Sequence, residues 1–223
     1  MNPAARGAFI RAMRQPPRGS AVTRSAFLRL LALDPLLLAV PARAAPDPQA
    51  AAAFIEQAGR DLAGDLNAPG TVAEKRPALV GFMERVVDVD EVGRFVLGRY
   101  WRTATPEQQA QYLQVFRTAL TNAVVVRLGD YQGGGVALQV VRAEPAGDGV
   151  HVATRITKPG SASYDVTWVV GGTDAQPRIV DVVAEGVSLR QTQRSDYASY
   201  LQQHGGHVEA LVQALRAQVA RGG

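Results

Sequence analysis

Histidines are the first residues whose spacing could support metal chemistry. His204 and His207 are separated by two glycines, and His151 lies in a segment with the alternation of a strand. Zinc normally takes three or four protein ligands, so the pair would need further ligands from distant carboxylates. The two glycines between the histidines also favour a break in a helix, which would not hold the two imidazoles in a fixed geometry. We therefore interpret residues 204–207 as a turn between helices and predict no metal site.

Groups for nucleophilic or phosphate chemistry are equally sparse. Ser188 lacks the Gly-x-Ser-x-Gly context and has no recognisable base. The run Gly133–Gly135 leads into a strand-like segment, and no Gly-Lys-Ser/Thr follows it. A phosphate-binding loop leads into a helix, so this run is interpreted as a helix terminator. We predict no catalytic residues.

The composition limits the classes of partner. The 223 residues are 47% apolar, contain no cysteine and carry 24 basic and 20 acidic side chains, a net charge of +4. Seven arginines and one aspartate fall within residues 1–44, which leaves 17 basic and 19 acidic residues, a net charge of −2, for residues 45–223. Without an overall positive field, nucleic-acid binding has no electrostatic support.

The first 44 residues have the pattern of an export signal. A basic, acid-free region is followed by the leucine-rich stretch 27–40 and by Ala42-Arg43-Ala44, the small-x-small pattern of a cleavage site. The apolar run is too short for a spanning helix, which needs about 20 residues. We predict a cleavable signal peptide over residues 1–44, a linker over 45–50 and an exported protein. Whether export follows the general or the twin-arginine route stays open.

Helical periodicity dominates both ends of the remaining chain. The spacing predicts helices over Ala51–Leu66, Thr71–Val87, Val89–Leu97, a long helix from Pro106 to Gly129, Leu189–Gln203 and Val208–Val219. The long helix begins with Thr105-Pro106-Glu107-Gln108, which has a capping residue, a first-turn proline and a capping-box glutamine. Its apolar residues Tyr112, Phe116, Leu120, Val124 and Leu128 recur every four positions.

Between the helices the period changes to two. Val136–Val140, Val150–Ile156, Tyr164–Val170 and Arg178–Ala184 read as four strands, with residues 171–177 as a loop before the last one. The connections are short and turn-like, which favours an antiparallel meander. The order of helices, strands and helices predicts an α+β fold.

Two strings carry a resemblance to a known family. They are Leu97-Gly98-Arg99-Tyr100-Trp101-Arg102 and Ile179-Val180-Asp181-Val182-x-x-Glu185-Gly186-Val187-Ser188-Leu189. Trp168, the pair Tyr112 and Phe116, and the tail from Arg194-Ser195-Asp196-Tyr197 to Leu215 add to it. In order and spacing these residues resemble the MlaC family of periplasmic phospholipid-carrier proteins, also called toluene-tolerance proteins, over most of residues 48–218.

The resemblance implies a fold and a function. The fold would be a helical layer packed on a curved four-stranded antiparallel sheet, with C-terminal helices, and residues 51–220 would form a single lipid-carrier domain. Such a protein is a lipid carrier rather than an enzyme and takes no cofactor, only a bound phospholipid as cargo. Its partners would be an inner-membrane ABC transporter complex with its substrate-receiving subunit and an outer-membrane lipoprotein–porin complex. The transport would serve outer-membrane lipid asymmetry.

The expected cargo site is an apolar space between helices and sheet. Its predicted lining is Phe82, Val86, Phe95, Val96, Tyr112, Phe116, Leu120, Val140, Val152, Val166 and Trp168. Arg99 and Arg102 are candidates for contact with a headgroup phosphate or with a partner. They could equally form structural ion pairs with Asp181 and Glu185.

Three alternatives stay open at the level of sequence. The alanine- and glycine-rich character is compatible with a divergent carrier of another lipid, such as a hopanoid. A periplasmic adaptor with a solid core would show the same patterning. An enzyme resembling ketosteroid isomerase would need a buried acid and a hydrogen-bond donor, for which Asp165 or Asp181 with Tyr164 or Tyr131 are the candidates.

Overall fold

The structure is a computed structural model that describes residues 46–129, 136–160 and 162–221. Within these ranges the chain forms seven helices and five strands. The first helices are α1 (Pro48–Asn67), α2 (Val72–Val86), α3 (Val89–Leu97), α4 (Arg99–Thr103) and α5 (Pro106–Gly129). The strands are β1 (Ala137–Ala146), β2 (Gly149–Thr157), β3 (Tyr164–Thr173), β4 (Gln176–Ala184) and β5 (Val187–Ser188), followed by α6 (Leu189–Gln203) and α7 (Val208–Ala220). The predicted signal peptide and the run Gly133–Gly135 lie outside the described residues.

Side-chain caps set the starts of the helices. Asp47 accepts hydrogen bonds from the backbone N–H groups of Gln49 and Ala50, so α1 begins at Pro48 rather than at Ala51. The α2 start is a capping box in which Thr71 and Glu74 bind each other's backbone N–H. Thr105 and Gln108 form the same reciprocal pair at the start of α5. The predicted caps at Thr71 and Thr105 are therefore confirmed.

The five strands form one antiparallel sheet in the order β1-β2-β3-β4-β5. The meander is as predicted, and the two-residue strand β5 is an addition. The predicted loop 171–177 is wrong, because β3 continues to Thr173 and β4 begins at Gln176. One of its two glycines, Gly172, lies in β3 at a position where a side chain does not fit. A Cβ atom on Gly172, at φ 86°, would lie 2.2 Å from the carbonyl oxygen of Gln176.

The apolar interior consists of two clusters. The helical cluster joins α3, α5, α6 and α7 through buried residues such as Val96, Tyr112, Leu201 and Leu211. The sheet cluster joins α1 and α2 to one face of the strands. Val87, after α2, packs against both clusters. The sheet therefore has its own helical cover, while the C-terminal helices pack mainly on α5 and α3.

The buried stripe of α5 differs from the predicted one. The buried apolar residues are Tyr112, Val115, Phe116, Ala119 and Val125, whereas Leu120 and Val124 are half-buried. A strict spacing of four drifts away from the core, because an α-helix turns every 3.6 residues. The predicted Leu128 side chain lies outside the described ones.

Candidate functional site

The apolar face of the sheet brings together six of the eleven predicted lining residues. Val140, Val152, Val166 and Trp168 alternate along three neighbouring strands, and their register places Val152 opposite Trp168. Phe82 and Val86 of α2 pack in the same sheet cluster, where α1 crosses β1 and β2. Val166 is buried on this face but lies outside the two clusters. Val140 and Trp168 are only half-buried, so apolar surface on this face is available to a ligand.

One polar contact is built into this face. The indole Nε1–H of Trp168 donates to the Thr154 hydroxyl at 3.0 Å, and that hydroxyl donates to the carbonyl oxygen of Val166 at 3.0 Å. Thr154 is 1% exposed. Because these polar groups satisfy each other, the face presents hydrocarbon without an unpaired donor from the indole or the hydroxyl. The alternation of the second strand placed Thr154 on this face, but its bond to Trp168 follows from the register and was missed.

The other five predicted lining residues, Phe95, Val96, Tyr112, Phe116 and Leu120, pack in the helical cluster. Tyr112 is fully buried, and its hydroxyl donates to the carbonyl oxygen of Gly93 at 3.0 Å. Burial raises the pKa of Tyr112 far above its usual range, and burial raises that of its neighbour Tyr197 to about 12. The Phe116 ring stacks on Tyr112 with centroids 5.5 Å apart. These side chains join helices to one another, so the eleven predicted residues are divided between the sheet face and the helical cluster.

Phe95 lies among cationic groups. The guanidinium carbon of Arg190 sits 4.3 Å from the centroid of the Phe95 ring, and that of Arg194 sits 5.0 Å from it. Both distances are within cation–π range. The ring of Phe95 therefore supports the start of α6 through these two arginines.

Asp181 forms several contacts within the segment 179–189, the second of the two segments that resemble the family. Its carboxylate accepts hydrogen bonds from the Ser188 hydroxyl at 2.6 Å, the Val182 N–H at 2.8 Å and the Arg190 N–H at 3.0 Å. The Arg190 guanidinium lies 3.4 Å from the same carboxylate and also pairs with Asp148. The turn between has two residues with positive φ, Glu185 at 51° and Gly186 at 77°. This network holds β4, β5 and α6 together.

Two of the open alternatives involve Asp181. The ion pairs within the described residues join neither Arg99 nor Arg102 to Asp181 or Glu185, and Asp181 pairs with Arg190 instead. Asp181 is buried and its oxygens accept three hydrogen bonds, so this candidate acid takes part in structural contacts. The other proposed acid, Asp165, is exposed and bound by Arg155 at 2.8 and 3.0 Å, which lowers the pKa of Asp165. Tyr164 is 53% exposed, and Tyr131 lies outside the described residues.

The histidines have structural neighbours. His204 stacks on Tyr200 with centroids 4.0 Å apart, His207 precedes the first turn of α7, and His151 binds Asp148 at 2.9 Å. Within the described ranges, no three His, Cys, Asp or Glu side chains are grouped to hold a metal ion. The interpretation of residues 204–207 as a turn is confirmed, with Gly205 and Gly206 both at positive φ.

Arg99 and Arg102 line a surface cleft of about 490 Å³. Its other lining residues are Tyr100, Thr103, Gln202, Gly205 and Gly206. The cleft therefore lies between α4 and the turn that joins α6 to α7, on elements of the helical cluster. The short helix α4 was not predicted, so the sequence indicated these arginines but not the helix that carries them.

None of the described helices combines the length and apolarity needed to cross a membrane.

Comparison with known proteins gives a consistent result. The family model described as "MlaC protein" matches residues 56–217. The chain is similar to the toluene tolerance protein ttg2D of Pseudomonas putida, with 24% identity over 206 residues that cover 90% of this chain and 92% of that one. Its fold is similar to that of a phospholipid-binding protein from Ralstonia solanacearum solved in complex with a phospholipid. The TM-score is 0.65 at 21% identity, over 77% of this chain and 97% of that one. Since the family model covers more than half of the sequence, this chain belongs to the MlaC protein family.

Proposed function

We propose that this protein is a periplasmic lipid carrier that holds phospholipid acyl chains against the apolar face of its sheet. The observation that carries the proposal is the row Val140, Val152, Val166 and Trp168 beneath α1 and α2, where Val140 and Trp168 keep apolar surface exposed. The solved relative from Ralstonia solanacearum, which holds a phospholipid, supports the choice of ligand. Family membership supports a transport role rather than catalysis.

The physics of such a site needs little polar recognition. Each CH₂ group removed from water contributes about 0.8 kcal/mol, so two acyl chains supply ample affinity through burial alone. The paired Trp168 and Thr154 side chains expose no unsatisfied group to the chains. On this proposal, the acyl chains pack over the half-buried residues of β1 and β3. The five lining candidates in the helical cluster act as core.

The proposed carrier moves its cargo between two membranes. It would receive or deliver phospholipid at an inner-membrane ABC transporter complex and at an outer-membrane lipoprotein–porin complex, after export by the signal peptide at residues 1–44. The chemistry of the apolar face is compatible with more than one lipid, so a hopanoid is the alternative cargo.

Two neighbouring valines of β1 provide a matched test. Val140 packs against the sheet cluster, whereas Val141 occupies a bulge and is 59% exposed. We expect Val140→Glu to lower the fraction of protein carrying lipid by about tenfold or more, because its carboxylate would meet the acyl chains. Val141→Glu should leave that fraction unchanged. The measurement is phospholipid retained by the re-isolated protein after incubation with vesicles.

Circular dichroism of both variants separates lost binding from lost folding. Val140 lies on an edge strand and is half-buried, so Val140→Glu should keep the wild-type helix and strand content. Equal lipid retention in the two folded variants would contradict a cargo site on this face.

A further inference from the structure

The cleft between α4 and the turn at residues 204–207 is a second feature with binding chemistry. It is distinct from the apolar face, which α1 and α2 cover. The cleft lining contains two guanidinium groups and no carboxylate. Residues 45–223 have a net charge of −2, so this concentration of positive charge is a local feature and not part of a general basic surface.

The two arginines are available to a ligand in different ways. Arg99 donates to the Tyr100 hydroxyl at 2.9 Å, and its guanidinium carbon lies 4.9 Å from the centroid of the Tyr100 ring. This contact orients the side chain but leaves most of its five donors unused. Arg102 makes no ion pair or side-chain hydrogen bond with any residue in the described ranges. Both side chains are exposed, and neither forms an ion pair with a carboxylate of the described residues.

The wall of the cleft opposite the two arginines consists of glycines, which have no side chains to fill the space. Gly205 and Gly206 adopt φ values of 66° and 78°, and a Cβ atom on Gly206 would lie 3.3 Å from Cε1 of Tyr100. A residue with a side chain at position 206 would be strained and would press on the tyrosine beside Arg99. The glycine turn therefore leaves open the space that the two arginines face, next to the amide of Gln202.

We infer that this cleft binds a phosphate group through Arg99 and Arg102. Arginine presents planar, charged donors that match phosphate oxygens in pairs, and charge-assisted bonds of this kind are stronger than neutral ones. Gln202 can add a neutral amide donor, and a cleft of about 490 Å³ has room for a phosphorylated headgroup. The inference rests on the proposed function for the source of the phosphate, which would be the headgroup of a phospholipid at a membrane surface.

The test uses the exported protein and two probes. Inorganic phosphate binding is measured by isothermal titration calorimetry, and association with phosphatidylglycerol vesicles is measured by co-sedimentation. We expect the double variant Arg99→Gln, Arg102→Gln to weaken phosphate binding by about tenfold or more, and to reduce co-sedimentation, because it removes both charged donors. Gln202→Glu should weaken both through repulsion while leaving the exposed surface of α6 otherwise intact.

Arg216→Gln is the matched control, since Arg216 is exposed on α7 and does not line the cleft. It should bind phosphate like the wild type. Loss of phosphate binding with unchanged co-sedimentation would support the anion site but overturn a lipid headgroup as its source. Unchanged phosphate binding in both cleft variants would overturn the inference. Lipid carried on the apolar face is read separately, from the protein mass, so this test can fail while the proposed function holds.

Discussion

Replacement of Asp181 by alanine is expected to lower the free energy of unfolding by about 3 kcal/mol, the low end for breaking a buried ion pair. The side chains of Asp181 and Arg190 are 3% and 9% exposed, and the change removes the acceptor for three hydrogen bonds. Arg190 keeps Asp148 as a partner, which is why the low end applies. The melting temperature should fall by roughly 6–12 °C, measured by thermal denaturation.

Asp165→Ala is the control for this prediction. Asp165 also pairs with an arginine, Arg155, but both groups are exposed on neighbouring strands. Exposed pairs contribute little, because water solvates each partner after the other is removed. The Asp165 variant should therefore melt close to the wild type. If the two variants melt at the same temperature, the structural role assigned to the string from Asp181 to Leu189 is wrong.

The second large effect is expected at Tyr112. Tyr112→Ala should lower the free energy of unfolding by about 3–5 kcal/mol, since it leaves a cavity where the ring packs on Phe116. Tyr112→Phe removes only the hydroxyl bond to the Gly93 carbonyl and should cost about 1 kcal/mol. Denaturant unfolding curves measure both values.

The same variants separate core from cargo site. Because Tyr112 lies in the helical cluster, Tyr112→Phe should retain as much lipid as the wild type. Tyr164→Ala, at a 53% exposed position, is the stability control and should unfold like the wild type. Loss of lipid from a stable Tyr112→Phe protein would instead place the cargo in the helical cluster.

Local signals explain how much of the fold could be predicted. Thr71 with Glu74, and Thr105 with Gln108, mark helix starts because each cap is complete within four residues. The alternation at positions 150–156 and 164–170 identifies strands for the same reason, as each strand carries its own pattern. The glycines at positions 171 and 172 led to the wrong prediction of a loop, because their place in the strand depends on contacts with Val180 and Gln176 of β4.

The candidate site was harder to predict than the fold, because it depends on contacts between residues that are distant in sequence. Alternation places Val166 and Trp168 on one face of their strand, and the register of the sheet adds Val140 and Val152 to that face. Apolar spacing could not tell that Phe95 and Tyr112 belong to a separate cluster, because a core residue and a lining residue have the same chemistry. The partner of Asp181 was missed since Arg190 reaches it through a turn with positive φ at Glu185 and Gly186.

Lipid carriage is tested most directly by native mass spectrometry of the protein, expressed as the full chain and purified from a bacterial periplasm. We predict a mass equal to one processed chain plus a stoichiometric lipid, which lipid analysis would identify as a phospholipid or a hopanoid. The protein mass also reports whether residues 1–44 are removed. A bare chain mass that stays unchanged after incubation with phospholipid vesicles would contradict the carrier and favour an adaptor with a solid core.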